Sequence, residues 1–210
     1  MIAENYRYTN IMRTVKKLIS LGEIGRLNSV HVNFQRRHKI DNYHNNLKQP
    51  LLLDVAIHHI DLIRYLTGVE AQSVFARGWT PEWSWYGGIS NVDMLLEMEE
   101  NIRVSYCGNL SAFDNETGWH GAWRIEGEKG IIRILDDKVR INTRGAEFIV
   151  EINENNDSRK IVLEEFLCSL KENRKGETDI GDNLKTYAII QAAIESIDIN
   201  KDIFIKNIYD

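Results

Sequence analysis

The chain has 210 residues, of which 43% are hydrophobic and 27% are charged, a composition typical of a soluble globular protein. Its formal net charge of -5, with acids and bases interspersed, argues against a nucleic-acid or membrane-surface partner, which would need a basic patch. No apolar run approaches the roughly 20 residues of a membrane span, and the first residues lack the apolar core of a signal peptide. Cys107 and Cys168 have no zinc-binding spacing, so we expect reduced thiols in a cytoplasmic protein.

Helical and strand-like patterns alternate in the first third of the chain. The predicted elements are a helix over 9–22, a strand over 26–37, a loop over 39–50 and a helix over 51–66. Thr9 or Asn10 can cap the first helix, and Gly22 stands where a terminating glycine belongs. Gly68 closes the second helix in the same way.

Strand patterns dominate from Val69 onward. They predict a strand over 70–79, hairpins over 90–112, 119–135 and 138–153, helices over 158–173 and 182–197, and a strand over 202–205. The predicted fold class is α+β, a single domain over 1–210 with a largely antiparallel open sheet and helices packed on one face. Some strands are apolar on both faces, so the other face either meets a second subunit or carries ordinary surface leucines.

The sequence excludes several nucleotide and hydrolase motifs. No two of the 14 glycines are spaced two apart, so a GxGxxG dinucleotide fingerprint does not occur. GK[ST], HExxH and GxSxG are also absent. We therefore expect this chain alone to bind no nucleotide cofactor, and we assign no cofactor-binding or metal residues.

The stretch LLLDVAIHHID, residues 51–61, places four ionisable groups in an apolar run. At 100° per residue, Asp54, His58 and Asp61 fall within about 60° of one another on the helix, and Tyr65 extends this stripe. His59 points toward the core side instead. The two adjacent histidines are therefore not equivalent.

A histidine beside carboxylates can exchange a proton with a substrate hydroxyl, because the carboxylate orients the ring and favours its charged form. Two other interpretations remain open. The stripe is equally compatible with surface acids and a surface histidine. A metal site containing His58 and Asp54 lacks a recognised ligand motif.

The loop WTPEWSWYGG, residues 79–88, contains four aromatic side chains. Exposed tryptophans can stack on sugar faces or anchor a protein partner. They can also simply cover one end of the sheet, so the pattern leaves both roles open.

Several segments together carry a family resemblance over nearly the whole chain. They are ENYRYTNIMRTVKKLISLGEIGRLNSV, LLLDVAIHHIDLIRYLTG, WRIEGEKGIIRI and GETDIGDNLKTYAIIQAAIESI. In this order they resemble the C-terminal domain of the glucose-fructose oxidoreductase / inositol dehydrogenase / MocA-type (Gfo/Idh/MocA) family of NAD(P)-dependent sugar and cyclitol dehydrogenases. The second segment resembles the family's Asp-x-Gly-x-His-x-x-Asp helix. The implied fold is a dihydrodipicolinate-reductase-like C-terminal domain.

The resemblance implies roles for particular residues. Asp54 and His58 take the family's catalytic positions, with Asp54 orienting the histidine or the substrate and His58 accepting the proton. The implied substrate-binding residues are Arg7, in a strand that leads into the first helix, Asp61, Trp119 and His120. The family's first domain binds the nicotinamide cofactor, and its second domain builds the oligomer through the open sheet.

The sequence also departs from the family pattern. Ala56 replaces the glycine of the helix motif, and Lys48-Gln49-Pro50 replaces the glycines that usually precede it. The Glu-Lys-Pro motif that supplies the family's catalytic lysine is absent, as is the dinucleotide fingerprint. We therefore expect the N-terminal dinucleotide-binding domain to be absent from this chain.

These observations predict the substrate-binding and oligomerisation domain of an NAD(P)-dependent sugar or cyclitol oxidoreductase, without hydride transfer by the chain alone. Whether it acts as an enzyme is left open. The expected partners are a small sugar or polyol, a separately encoded Rossmann domain and further copies of the chain through its sheet face. The alternatives are a stand-alone sugar-binding or scaffold module, and a cofactor-independent lyase or epimerase using Asp54 and His58.

Overall fold

The computed structural model describes residues 1–39, 43–152 and 157–205. Its nine strands form one sheet in the order β8-β7-β6-β5-β1-β4-β3-β2-β9. The strands are β1 (Leu27–Gln35), β2 (Ala71–Trp79), β3 (Asn91–Met98), β4 (Arg103–Asn109), β5 (Ala122–Gly127), β6 (Gly130–Leu135), β7 (Lys138–Thr143), β8 (Ala146–Val150) and β9 (Ile203–Phe204). The helices are α1 (Asn10–Ser20), α2 (Ile57–Thr67), α3 (Ser158–Lys171) and α4 (Ile180–Ile199).

The predicted α+β fold class is confirmed, because the sheet is antiparallel at every pair except β1 with β4. The predicted hairpins form β3–β4, β5–β6 and β7–β8. In the central parallel pair, Val32 lies opposite Tyr106. The strand partners of β1 therefore come from distant parts of the chain, which local sequence patterns do not reveal.

The two faces of the sheet differ in burial. Along β1, Val30, Val32 and Phe34 are buried, whereas the intervening His31 and Asn33 are exposed. The buried set joins the apolar sides of the helices in one continuous core. The helices consequently cover one face, and the opposite face is open in this chain.

Helix α1 shows which of two candidate residues caps it. The hydroxyl of Thr9 accepts a hydrogen bond from the amide of Met12 at 3.4 Å, so Thr9 is the N-cap. The segment before it differs from the expectation, since Asn5–Tyr8 is a 3-10 turn and not a strand. This turn directs the Arg7 side chain inward, where it meets carboxylates of α2 and α4.

The predicted helix over 51–66 has two parts. Leu51–Ala56 is a π-helical turn, in which the amide of Ile57 donates to the carbonyl of Leu52, and α2 follows. A π turn is wider than an α turn, so 100° per residue does not apply across it. The regular α spacing used to place Asp54 one turn before His58 therefore does not hold across Leu51–Ala56. Gly68 ends α2 with a positive φ of 78°, as predicted.

Parts of two predicted elements lie outside the described residues. These are residues 40–42 of the loop over 39–50 and residue 153 of the last hairpin. Within that loop, Tyr43–Asn46 forms a short 3-10 turn. Among the helices that the structure describes, none is long and apolar enough to cross a membrane.

Candidate active site

The four ionisable groups of the stretch 51–61 have different surroundings. Asp61 and His59 are 1% and 0% exposed, whereas the side chains of Asp54 and His58 are 31% and 28% exposed. Solvent therefore reaches only Asp54 and His58, the two residues predicted to be catalytic. The catalytic role itself stays a prediction.

The carboxylate bound to His58 belongs to Glu4. Its Oε2 lies 2.6 Å from Nδ1 of His58, and its side chain is only 3% exposed. The amide of Asn183, on α4, donates to the other Glu4 oxygen at 2.8 Å. Because an ionised carboxylate only accepts hydrogen bonds, the His58 proton lies on Nδ1. Nε2 is thus the nitrogen left for a substrate.

The electrostatic surroundings favour the charged form of His58. Burial by itself lowers the pKa of this histidine, but the hydrogen bond and charge of Glu4 outweigh burial, with help from the charges of Asp61 and Asp54. The pKa of His58 is therefore raised above its ordinary value. A proton acceptor of this kind suits a substrate hydroxyl that ionises during the reaction.

His59 has the opposite character, as the sequence predicted. Its Nδ1 lies 3.0 Å from the hydroxyl of Tyr106, and its Nε2 lies 2.8 Å from the carbonyl of Trp119. Complete burial lowers the pKa of His59 to about 3. His59 is thus a neutral core residue that ties α2 to β4 and to the loop before β5.

Arg7 and Asp61 form a buried ion pair. The Nε and Nη2 atoms of Arg7 each donate to Asp61 at 2.6 Å, and Nη2 also donates to Asp182 at 2.7 Å. Burial lowers the pKa of Arg7, but the two carboxylates raise it by more than burial lowers it. The net pKa is raised, so the guanidinium stays charged. Arg7 and Asp61 were predicted to contact substrate; in this structure their polar atoms contact one another and α4.

Trp119 and His120, the two remaining predicted substrate residues, are consecutive, but their side chains contact different groups. The Trp119 ring, 38% exposed, packs edge-on against His38 at 4.8 Å between ring centroids and lies 4.7 Å from the Arg36 guanidinium. Nε2 of His120 lies 3.4 Å from Asp137 in the turn between β6 and β7. Trp119 thus packs with Arg36 and His38, whereas His120 pairs with a residue of a neighbouring turn.

The Tyr6 ring packs against His58. Its ring centroid lies 5.0 Å from that of His58. Burial, followed by the charge of Asp54, raises the pKa of Tyr6 to about 12, although the charge of Arg36 lowers it. We call Glu4, Tyr6, Asp54 and His58 the candidate site. Its hydroxyl, imidazole and carboxylate groups can bind and deprotonate a hydroxylated substrate.

The sequence reasoning missed Glu4, Tyr6 and Asn183. An acid at position 4 is visible in the sequence, but no local pattern shows that it folds back onto His58, 54 residues away. The only local signal was a glutamate three residues before Arg7 in a segment that otherwise carries aromatic and amide side chains.

The described residues contain neither of two kinds of cofactor-binding arrangement. The parallel pair β1–β4 is not joined by a glycine-rich turn leading into a helix, the arrangement that holds a dinucleotide pyrophosphate in Rossmann domains. Throughout 1–39, 43–152 and 157–205, no three His, Cys, Asp or Glu side chains are grouped to hold a metal ion.

We predict that Glu4→Gln lowers the pKa of His58, because an amide supplies no charge to offset burial. Neutral wild-type His58 should carry its proton on Nδ1, and this preference should weaken in the variant. The charged form of His58 stabilises the folded protein through its pairing with Glu4. This contribution is complete below about pH 6.5, the ordinary pKa of histidine, and is lost as the pH rises through the raised pKa of His58 in the folded protein. NMR titration of the imidazole measures the pKa and the tautomer, and Glu97→Gln on the open face is the control. An unchanged His58 pKa would contradict this interpretation.

Comparisons with known proteins identify the family of this chain. Residues 12–133 match the GFO/IDH/MocA C-terminal domain family. The chain is 22% identical over 219 residues to the uncharacterized protein y4oX of Sinorhizobium fredii, covering 96% of this chain and 61% of that protein.

Solved structures share the fold. An oxidoreductase from Agrobacterium radiobacter, in complex with NAD+, L-tartaric acid and magnesium, superposes with a TM-score of 0.87 at 20% identity, covering 98% of this chain and 64% of that one. The aldose-aldose oxidoreductase of Caulobacter crescentus, complexed with glycerol, gives 0.85 at 18% identity, with 97% and 63% covered. The chain thus spans just under two thirds of the length of these relatives. It belongs to the GFO/IDH/MocA C-terminal domain family.

Proposed function

We propose that this chain is the substrate-binding and oligomerisation domain of an NAD(P)-dependent sugar or cyclitol oxidoreductase. The observation that carries the proposal is the Glu4–His58 hydrogen bond, which occupies Nδ1 of a histidine whose side chain is 28% exposed. Of two structural relatives, one is an oxidoreductase in complex with NAD+ and L-tartaric acid, and the other is an aldose-aldose oxidoreductase complexed with glycerol. A cytoplasmic location is part of the proposal, supported by the free thiols of Cys107 and Cys168.

In this proposal His58 accepts the proton of a substrate hydroxyl through Nε2, while Glu4 stabilises the resulting imidazolium. Asp54 binds a neighbouring hydroxyl, and Trp119 packs against the sugar. Arg7 and Asp61 act mainly by holding the turn that carries Glu4 and Tyr6. His120 contributes by positioning the loop before β5. A dinucleotide held by a separate Rossmann domain supplies the hydride acceptor.

We expect the purified chain alone to oxidise no polyol with NAD+ or NADP+. Turnover should appear when a Rossmann-type domain encoded in the same genome is added, and His58→Asn should lower kcat by about 10²–10⁴-fold. His31→Asn, on the opposite face of the sheet, is the matched control. Dinucleotide reduction is followed by absorbance over a panel of sugars and cyclitols. Activity of the chain without a partner would overturn the proposal.

Helix α3 offers a surface for such a domain. Leu163, Phe166, Leu167 and Leu170, at helical spacings of 3 and 4, are 56%, 39%, 46% and 62% exposed. A stripe of this kind normally faces a partner. The helix also reaches the candidate site, since Asn5, next to Tyr6, donates to Ser158 at 3.3 Å. A domain bound on α3 would therefore lie beside His58.

Leu167→Asp should weaken binding of the dinucleotide-binding domain by about tenfold or more, because a charge would enter an apolar contact. Glu164→Gln, on the same helix, should bind as the wild type does. Calorimetry gives the Kd, and circular dichroism checks the fold. Equal Kd values for wild type and Leu167→Asp would remove α3 from the interface while leaving the catalytic proposal intact.

The open sheet face is the proposed surface for self-association. A groove of about 610 Å³ crosses it, with Phe75 and Leu95 among the residues that line it. Leu95, Leu135 and Ile149 are 60%, 55% and 65% exposed there. Burying these side chains against a second copy would remove apolar surface from water.

Sedimentation velocity should show an oligomer that Leu95→Glu dissociates. The matched control is Leu21→Glu, because Leu21 is 63% exposed but lies beyond α1, away from the sheet. A monomeric wild type at micromolar concentration, or an oligomer that resists Leu95→Glu, would contradict assembly through this face.

A further inference from the structure

A second cavity, of about 460 Å³, lies between the segment that follows β1 and the loop after β2. Arg37 and Lys39 line it from the segment that follows β1, Trp83 and Trp85 from the loop after β2, and Phe113 from the segment after β4. We call it the aromatic pocket. Three separate parts of the chain thus bring aromatic rings and cations to one place.

The ring faces in this pocket remain accessible while the indole nitrogens are already bonded. Trp83 and Phe113 are 74% and 86% exposed. Nε1 of Trp83 donates to the carbonyl of Ser111 at 3.4 Å, and Nε1 of Trp85 donates to that of His38 at 3.0 Å. The hydrogen bonds fix the indoles against backbone. What the pocket offers a ligand is flat apolar surface.

The charge in the pocket is positive. The Arg37 guanidinium lies 5.8 Å from the centroid of Phe113, and the Lys39 ammonium lies 5.8 Å from that of Trp85. No aspartate or glutamate is among the described residues that line the pocket. Outside the lining, Glu116 accepts a hydrogen bond from the backbone amide of Arg37 at 3.1 Å. A carboxylate in the pocket would meet two cations, with the Arg37 guanidinium able to bind it in a bidentate manner.

The segment 36–39 lies between the pocket and the Trp119 ring. His38 and Arg36 contact the Trp119 ring, whereas the intervening Arg37 and Lys39 line the aromatic pocket. The side chains of 36–39 therefore alternate between the two regions. A ligand in the pocket would therefore be separated from the Trp119 ring only by the segment 36–39.

We propose that the aromatic pocket is a carbohydrate subsite that binds a sugar acid. The sugar ring stacks on the Trp83 and Trp85 indoles, and its carboxylate pairs with Arg37 and Lys39. This inference rests on the proposed function, because it specifies a class of sugar for the same protein. It also gives the cluster of tryptophans in 79–88 a binding role.

The test uses glucuronate together with two uncharged analogues, glucuronamide and glucose. Glucuronate should shift the indole N–H resonances of Trp83 and Trp85 in ¹⁵N-resolved NMR spectra, and glucuronamide should bind about tenfold more weakly or worse, because it lacks the charge-assisted pairs. Added salt should weaken glucuronate binding. Equal binding of glucuronate and glucuronamide would overturn the sugar-acid assignment, and so would no binding of glucuronate at all.

Variants localise the ligand. Trp83→Ala and Arg37→Gln should each weaken glucuronate binding about tenfold or more, while Trp79→Ala should not, since Trp79 is 43% exposed but outside the pocket. Shifts confined to the Trp119 indole would place the ligand on the other side of the segment 36–39 and overturn the subsite. The comparison of the three sugars needs no variant, so it remains decisive if one fails to fold.

The two proposals can fail separately. Dehydrogenase activity with an added Rossmann domain, but no glucuronate binding at Trp83, would reject the subsite and retain the proposed function. Glucuronate binding at Trp83 without activity in the reconstituted mixture would reject the oxidoreductase assignment.

Discussion

The buried ion pair between Arg7 and Asp61 is the contact on which the candidate site depends. It joins the first turn of the chain to the middle of α2, and Asp182 extends the link to α4. A guanidinium this deeply buried requires both carboxylates, since an unpaired buried charge would cost several kcal/mol. The pairing thereby fixes where the segment 4–8 lies on the helical layer.

The position of Glu4 follows from that constraint. Once Arg7 is held against Asp61, the same short turn brings Glu4 to His58 and Tyr6 alongside it. Asn183 holds the second oxygen of Glu4, so α4 supports this contact as well. The histidine is therefore oriented by the N-terminal turn and α4 together. The acids of its own helix act on it through their charges.

The fold separates three surfaces with different chemistry. The helical side carries the candidate site and the apolar stripe of α3. Ser158, in the first turn of that helix, accepts a hydrogen bond from Asn5, next to Tyr6. The open side of the sheet carries exposed apolar residues such as Leu95. The segment 36–39 separates the aromatic pocket from the Trp119 ring. The three surfaces are thus built from different residues, so the proposed partner domain, second copy and sugar would not compete for the same side chains.

The sequence by itself determined the α+β class, the hairpins, the glycine that ends α2, the family and the different fates of His58 and His59. These features follow from local periodicity and from residue types that tolerate few backbone conformations. Only the tertiary structure decided that Glu4 binds His58, that Arg7 is buried against Asp61, and that Asp54 lies in a π turn. Contacts between residues more than fifty positions apart depend on how whole elements pack, which no local pattern encodes.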